Sequence, residues 1–303
     1  MLTRITRYMA IVVMLTAFGF GAATVHAEDK CLPPAGWWNP DDDSRLASDA
    51  LLDDISSADI VMLGERHDSA AHHRWQLETL KALHQRRGDI VLALEMFPRR
   101  VQPVLHAWTT GVLDESTFLR RSEWDDVWGF DADLYMDIFR YARAHGMPMY
   151  ALNVDAELTR AIGRDGLAAV PNEQREGVSK PAEPTADYAE WLGDIHEQHS
   201  HADHDSDPDN FIDAQLFWDR AFAEGMIQAH RAHDGALVVG LIGSGHLRHG
   251  HGVPHQLDAL GLDEHVTLLP WDRDSDGRHL QPGVADAIYM IRAGDDGPAD
   301  RSR

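Results

Sequence analysis

Short apolar runs alternate with segments of helical periodicity along most of the chain. The runs have the length and composition of buried parallel strands, and they span 59–63, 89–94, 147–152, 236–242 and 265–269, with 285–291 as a further candidate. Residues 72–87, between the first two runs, place apolar side chains at near-helical spacing, and residues 134–145 do so before the third. This alternation predicts an α/β fold with a mostly parallel sheet flanked by helices.

One long region breaks the alternation. It contains no strand-like run, but residues 187–197 and 211–232 both have helical periodicity, which predicts a smaller all-helical insertion subdomain. The pattern divides the chain into a lead-in (28–58), an α/β domain in two parts (59–170 and 234–292), a helical subdomain (171–233) and a frayed polar tail (293–303).

The first 27 residues have the pattern of a cleaved secretory signal peptide. Basic residues come first, a thirteen-residue apolar stretch follows, and Val25-His26-Ala27 fits the small-residue cleavage rule. The stretch is too short for a membrane-spanning helix, which needs about 18 to 20 apolar residues. Cys31 follows Glu28-Asp29-Lys30 instead of small residues, so lipidation is not expected. The sequence therefore predicts an exported protein, periplasmic if the source has two membranes, that is not an integral membrane protein.

Charge and cysteine content narrow the possible partners. Fifty acidic against 27 basic residues give a formal net charge of −23, which repels the phosphate backbone and disfavours a nucleic-acid partner. Cys31 is the single cysteine, so neither an internal disulfide nor a cysteine-based zinc site can form.

The strongest chemical signal is a pair of Gly-x-x-His turns, each directly after an apolar run. They are Gly64-Glu65-Arg66-His67 and Gly243-Ser244-Gly245-His246, and Glu95 ends a third run. Ligands of open parallel sheets bind beyond the carboxyl ends of the strands, so these side chains are expected to share one cleft. Two imidazoles and two carboxylates suit a Zn, Mn or Fe site, or an acid–base set in which Glu65 and Glu95 are the catalytic candidates.

Several motifs, taken together and in order, resemble the ChaN family of iron-regulated haem-binding proteins, which is grouped with the Tiki superfamily. The similarity spans about residues 59–269, and the motifs that carry it are Leu63-Gly64-Glu65-Arg66-His67-Asp68, His72-His73, Leu94-Glu95-Met96-Phe97, Trp124-Asp125-Asp126-Val127-Trp128-Gly129 with Tyr135, Ala214-Gln215, Trp218-Asp219, Gly243-Ser244-Gly245-His246 and Gly252-Val253-Pro254. The resemblance implies a large α/β domain with a small helical one. It also implies haem binding linked to iron uptake, with an outer-membrane uptake system as a partner and a homodimer formed on haem.

The helical region offers candidates for a haem site. Haem needs an axial ligand such as His or Tyr and an apolar wall. Tyr188, Trp191 and His196 fall at i, i+3 and i+8 of one predicted helix, near one face, and the resemblance favours Tyr188 and His196. Because this helix belongs to the insertion, the haem site is expected to be separate from the strand-end cluster.

Two other functions fit the same sequence. The wider superfamily includes proposed metal-dependent hydrolases with two Gly-x-x-His motifs and glutamates, and this chain has both, so the strand-end metal would acidify a water. Alternatively, the acidic tract with His196, His199, His201 and His204 predicts a non-enzymatic, low-affinity site for a divalent metal.

Overall fold

The computed structural model describes residues 35–199, 207–272, 276 and 280–291. The predicted signal peptide, the tail 293–303, and His201 and His204 lie outside these ranges, as does the side chain of His199. The metal-binding hypothesis for the histidine tract and the cleavage hypothesis therefore stay predictions.

Eight strands form one mixed sheet in the order β2-β1-β8-β7-β3-β6-β4-β5. Their bounds are β1 Gly36–Asn39, β2 Ser44–Leu46, β3 Ile60–Glu65, β4 Ile90–Pro98, β5 Met149–Asn153, β6 Leu237–Gly243, β7 His265–Trp271 and β8 Ala287–Met290. The six strands from β8 to β5 are parallel neighbours, while β1 pairs antiparallel with both β8 and β2. The predicted α/β fold is confirmed.

Ten α-helices lie within the described residues. Their bounds are α1 Ser48–Ile55, α2 Ala70–Arg87, α3 Gln102–Thr109, α4 Glu115–Arg121, α5 Trp124–Val127, α6 Asp133–Ala144, α7 Ala156–Asp165, α8 Ala186–His199, α9 Pro208–Ala232 and α10 Val253–Ala259. None of them is long and apolar enough to cross a lipid bilayer.

The central strands of the sheet are buried on both faces, which is why continuous apolar runs in the sequence predict them. Every residue of β3, β4 and β6 is buried, as expected for parallel strands covered on both faces by helices. The main core cluster lies on the side of the sheet packed by α2, α3 and α6. On the other side, α9 packs against β4, β5 and β6 and contacts α7, α8 and α10.

Two segments differ from their predicted form. The lead-in contains the β1–β2 hairpin and α1, which its polar, aspartate-rich sequence does not indicate. Residues 124–127, for which the sequence pattern predicts no helix, form the short helix α5, in which Trp124 is fully buried and packs against Phe97, Tyr135 and Phe139. Burial of one large aromatic ring outweighs the weak helical pattern of this stretch.

Candidate functional site

The two Gly-x-x-His turns meet because their strands are neighbours. Glu65 at the end of β3 is in register with Gly243 at the end of β6, and β4, which carries Glu95, pairs with β6 on its other side. A Cβ atom at Gly243 would come 3.0 Å from His67 Cε1 and 3.4 Å from Glu95 Oε2. Glycine is therefore needed here so that the backbone can approach both side chains.

Glu65 is the buried centre of the first cluster. Its Oε1 accepts hydrogen bonds from His67 Nδ1 at 2.7 Å and from the Tyr135 hydroxyl at 3.0 Å, and its Oε2 accepts one from His73 Nε2 at 2.5 Å. Burial raises the pKa of Glu65, but the hydrogen bonds and charges of His67 and His73 outweigh burial and lower it to about 2. Glu65 is thus an ionised carboxylate that holds His67 in place.

Asp219 of α9 is the centre of the second cluster. His246 Nδ1 donates to Asp219 Oδ1 at 2.6 Å, and the Tyr188 hydroxyl donates to Asp219 Oδ2 at 2.9 Å. Burial lowers the pKa of His246, but the charge and hydrogen bond of Asp219, with the charge of Glu95, outweigh it and raise the pKa to about 9. His246 is therefore an imidazolium at neutral pH.

The two clusters share a cavity of about 510 Å³ at the strand ends, named here the His67 cavity. It is lined by His67, Glu95, Met96, Pro98, Arg100, Glu123, Asp126, Val127, Trp128, Phe130, Asn153, Val154, Asp155, Ala156, Glu157, Arg160, Trp218 and His246. Trp128 and Phe130 stand 4.6 and 5.3 Å from the His67 ring, measured between centroids. Glu95 Oε1 lies 3.8 Å from His246 Nε2, and its Oε2 accepts from the Gly243 amide at 2.5 Å.

Electrostatics at the base of the His67 cavity favour proton transfer. Burial lowers the pKa of His67, but the hydrogen bond to Glu65 and the charges of Glu95 and Glu65 outweigh burial, so the pKa is raised. The cavity thus places two protonatable imidazoles, each oriented through Nδ1 by a carboxylate, beside a third carboxylate. This is the arrangement that general acid–base chemistry requires.

The structure brings the four predicted metal ligands together but does not arrange them as a metal site. Within the described ranges, no group of three or more His, Cys, Asp or Glu side chains is placed to hold a metal ion. The reason is hydrogen bonding: Glu65 uses both oxygens on His67, His73 and Tyr135, and His246 directs Nδ1 to Asp219. The imidazoles and carboxylates of the two clusters therefore hydrogen-bond to each other.

A second cavity, of about 680 Å³, lies between α8 and the turn that follows β6 and is named here the Trp191 cavity. It is lined by Asp187, Tyr188, Trp191, Gly245, Arg248, His249, His251, Gln281 and Gly283. The Tyr188 ring is near-parallel to Trp191, with centroids 5.8 Å apart, and to His251, with centroids 5.3 Å apart. Burial and the neighbouring charge of His249 lower the pKa of His251, so its imidazole is neutral at neutral pH.

The three predicted haem residues divide between two environments. Tyr188 and Trp191 line the Trp191 cavity, whereas His196 is buried and packs against Phe211 of α9, with ring centroids 5.4 Å apart. The Tyr188 hydroxyl donates to Asp219, and burial together with this carboxylate raises the pKa of the phenol well above 10. Tyr188 thus contributes the face of its ring to the cavity wall.

Several contributing residues carry no strand-end signal in the sequence. His73 and Tyr135 occur in the motifs of the resemblance without a role, and Asp219 lies in the middle of a long helix. His251 follows the second Gly-x-x-His turn by five residues as part of a His-x-His pair, the one pattern that could have indicated it. Asp219 also links Tyr188 to His246, so the two predicted sites are joined by hydrogen bonds.

Comparison with known proteins agrees with this architecture. A family model described as haem-binding uptake, Tiki superfamily, ChaN, matches residues 51–257. The structure of ChaN of Campylobacter jejuni with cofacially bound haem superimposes with a TM-score of 0.69 at 18% identity, covering 85% of this chain and 97% of that one.

Other solved structures are more distant. An erythromycin esterase mutant in its open conformation has a TM-score of 0.49 at 12% identity, over 87% of this chain and 99% of that one. The type III effector HopBA1 also has a TM-score of 0.49 at 12% identity, over 85% and 95%. No curated protein sequence matches the chain. The family model covers more than half of the sequence, and the chain therefore belongs to the ChaN family of haem-binding uptake proteins in the Tiki superfamily.

Proposed function

We propose that this protein binds haem in the Trp191 cavity. The observation that carries the proposal is the exposure of Trp191: 38% of this large apolar residue is open to solvent, and its ring stacks on Tyr188 beside two histidines. A volume of about 680 Å³ falls within the range of small-molecule sites. An exposed apolar ring on a cavity wall is what the face of a porphyrin needs, and membership of a haem-binding family supports the same ligand.

The donor set of the Trp191 cavity also fits haem. His249 and His251 supply imidazoles, which bind haem iron, and Arg248 supplies a cation on the same wall for the propionates. Arg248 already pairs with Asp276, so it is held in position by a carboxylate. The bound haem would supply the iron chemistry, and the residues of the chain would orient and cover it.

The test compares hemin binding by two variants that each remove one exposed aromatic ring. Trp191→Ala should weaken hemin binding at least about 10-fold, because it removes the apolar wall of the proposed site. Phe130→Ala is the matched control, since Phe130 is 37% exposed and lines the His67 cavity. Equal hemin affinities for wild type and Trp191→Ala, measured by absorbance titration, would contradict haem binding in this cavity.

We further propose that the protein acts after export, in uptake of haem or iron, with haem-linked dimerisation and an outer-membrane uptake system as its partners. Support comes from the pattern of the first 27 residues and from the uptake role in the description of the family. Terminal sequencing of the protein from its native host should give a start after Ala27. A mature protein that still begins at Met1 contradicts export by this route.

A second function that we propose is acid–base hydrolysis in the His67 cavity. Two carboxylate-oriented imidazoles and Glu95 converge there, so His246 can donate a proton from Nε2 while Glu95 accepts one from water. The hydrogen bonds of Glu65 and His246 do not fit a bound zinc, manganese or iron ion, so the proposed hydrolysis relies on the side chains alone. With a chromogenic carboxylic ester as probe, His246→Ala should abolish turnover and His249→Ala should preserve it, whereas turnover unaffected by His246→Ala argues against hydrolysis in this cavity.

A further inference from the structure

The walls of the His67 cavity limit which ester the proposed hydrolysis can act on. The side chains near His67 differ in chemistry from those near His246, and the rim of the cavity carries most of the charge. Each of these regions faces a different part of a bound ester.

The positions of the proton acceptor and the proton donor fix how an ester lies in the cavity. Water attacks the carbonyl carbon and gives a proton to Glu95, and the bond from that carbon to the ester oxygen breaks as His246 Nε2 donates its proton to this oxygen. The products are a carboxylic acid and an alcohol, and transfer of the proton from Glu95 to His246 returns both groups to their starting state. The leaving group therefore lies toward His246 and the acyl group toward His67.

The acyl side of the cavity is walled by a pair of aromatic rings. The His67 ring has Trp128 at 4.6 Å and Phe130 at 5.3 Å, measured between centroids, and the rings of Trp128 and Phe130 are 5.6 Å apart. Aromatic rings attract other planar rings in stacked or edge-to-face arrangements. An acyl group with a planar ring beside the carbonyl suits this side.

Phe130 presents its ring to the cavity from a backbone that is held in place. Its carbonyl oxygen accepts a hydrogen bond from Trp124 Nε1 at 2.7 Å, and Trp124 is buried. The Phe130 ring is nevertheless 37% exposed, as one of three exposed large apolar side chains among the residues that the structure describes. A bound ring would cover this surface, and little conformational entropy would be lost because the backbone is already ordered.

The charges of the wall disfavour an anionic substrate. Five carboxylates line the cavity against two arginines, so acidic groups stay in excess even when both imidazoles are protonated. Arg100 already pairs with Glu123 at 2.7 Å and with Asp155 at 2.5 Å. Arg160 pairs with Glu157 at 3.0 Å. A phosphate or carboxylate on the substrate would therefore have to compete with these carboxylates for the arginines.

We propose that the His67 cavity takes uncharged carboxylic esters whose acyl group is an aromatic ring, and that Trp128 and Phe130 select this ring. The proposal rests on the acid–base hydrolysis proposed above. Phe130 determines specificity and takes no part in proton transfer.

The first experiment compares three para-nitrophenyl esters, which share a leaving group and differ in the acyl group. The acyl groups are benzoyl, cyclohexanecarbonyl and the anionic hemisuccinyl, and each kcat/KM is divided by the rate of alkaline hydrolysis of the same ester. The normalised value for the benzoate should exceed that for the hemisuccinate at least about 10-fold and that for the cyclohexanecarboxylate about 3-fold, because of charge and ring stacking.

Variants test whether Phe130 causes the preference. Phe130→Leu keeps an apolar side chain without a planar ring, so it should remove the preference for benzoate over cyclohexanecarboxylate. Trp191→Ala removes an exposed ring from the other cavity and is the matched control, which should keep the preference. Thermal unfolding checks that each variant is folded.

The second experiment measures binding without turnover, using two ketones that cannot be hydrolysed. Acetophenone corresponds to the benzoyl group and levulinate to the hemisuccinyl group. Acetophenone should shift the NMR resonances of the His67 ring, and Phe130→Ala should weaken its binding at least about 3-fold. Levulinate should leave these resonances unchanged.

The outcomes separate the substrate class from the hydrolysis itself. Equal normalised rates for the three esters, or a higher rate for the hemisuccinate, overturn the substrate class while the hydrolysis stands. Absence of turnover of every ester, or turnover that His246→Ala leaves unchanged, overturns the hydrolysis. Acetophenone binding that depends on Phe130 would then still support the aromatic acyl side, and acetophenone binding that does not depend on Phe130 would overturn it as well.

Discussion

At the scale of single residues, Asp219 does most to organise the site. It is fully buried, accepts hydrogen bonds from Tyr188 and His246, and so connects the walls of the two cavities. The strand-end histidines and glutamates could be predicted because a glycine turn after an apolar strand has a fixed place in a parallel sheet. The role of Asp219 could not be predicted, because a single acidic residue in a long helix does not indicate which strand end that part of the helix will contact.

Substitution of Asp219 should change the protonation of His246. In Asp219→Asn the side chain loses the negative charge that raises the pKa of His246, so that pKa should fall from about 9 toward the ordinary histidine value of 6.5. Titration of the His246 ring followed by NMR measures this fall directly. Asp258→Asn, which removes the partner of His265, is the control and should leave His246 unchanged. A His246 pKa still near 9 in Asp219→Asn would show that another group holds the proton.

Gly252 should be a sensitive position for stability. It has φ 60°, and a Cβ atom there would come 2.5 Å from the carbonyl oxygen of His246 and 2.9 Å from Asp219 Oδ1. Gly252→Ala should therefore lower the free energy of unfolding by about 3 kcal/mol, because backbone strain and overlap add. Gly250→Ala is the matched control: its φ is 67° but nothing lies within 4 Å, so about 1 kcal/mol is expected. Denaturant unfolding that gives the same loss of unfolding free energy for both variants would contradict the expected overlap at Gly252.

At the scale of elements, helix geometry explains why the predicted haem residues of α8 lie in two different environments. A helix turns by about 100° per residue, so Trp191 lies about 60° to one side of Tyr188 and His196 about 80° to the other. The helical periodicity correctly identifies α8, but this helix borders both the Trp191 cavity and α9. The side with Trp191 faces the cavity, and the side with His196 packs on Phe211 of α9.

The sheet shows the same limit of sequence patterns at its edge. Buried parallel strands such as β3 and β6 are continuous apolar runs, which predict the strands to within a residue or two. The β1–β2 hairpin has exposed polar residues in β2 and an aspartate-rich turn, so its pairing with β8 depends on tertiary contacts of Trp37. No local period indicates contacts of that kind.

At the scale of the whole molecule, the paired carboxylates and imidazoles determine how stability depends on pH. Glu65 has a lowered pKa, so its contribution is complete above pH 4.5 and is lost as pH falls toward 2. His246 has a raised pKa, so its contribution is complete below pH 6.5 and is lost as pH rises through 9. These two groups should give the greatest stability between pH 4.5 and 6.5.

Denaturant unfolding across this pH range measures the effect. The free energy of unfolding should fall by roughly 3 kcal/mol between pH 6.5 and pH 10 through His246 alone, and Asp219→Asn should flatten this alkaline limb. An alkaline limb of the same slope in Asp219→Asn would mean that other groups set the pH dependence.

We propose that the Trp191 cavity, and not the strand-end cluster, binds haem. The position of iron in an anomalous difference map from crystals grown with hemin tests it most directly. An iron peak is expected in the cavity between α8 and the turn after β6, beside Trp191. An iron peak in the His67 cavity, between His67 and His246, would contradict it.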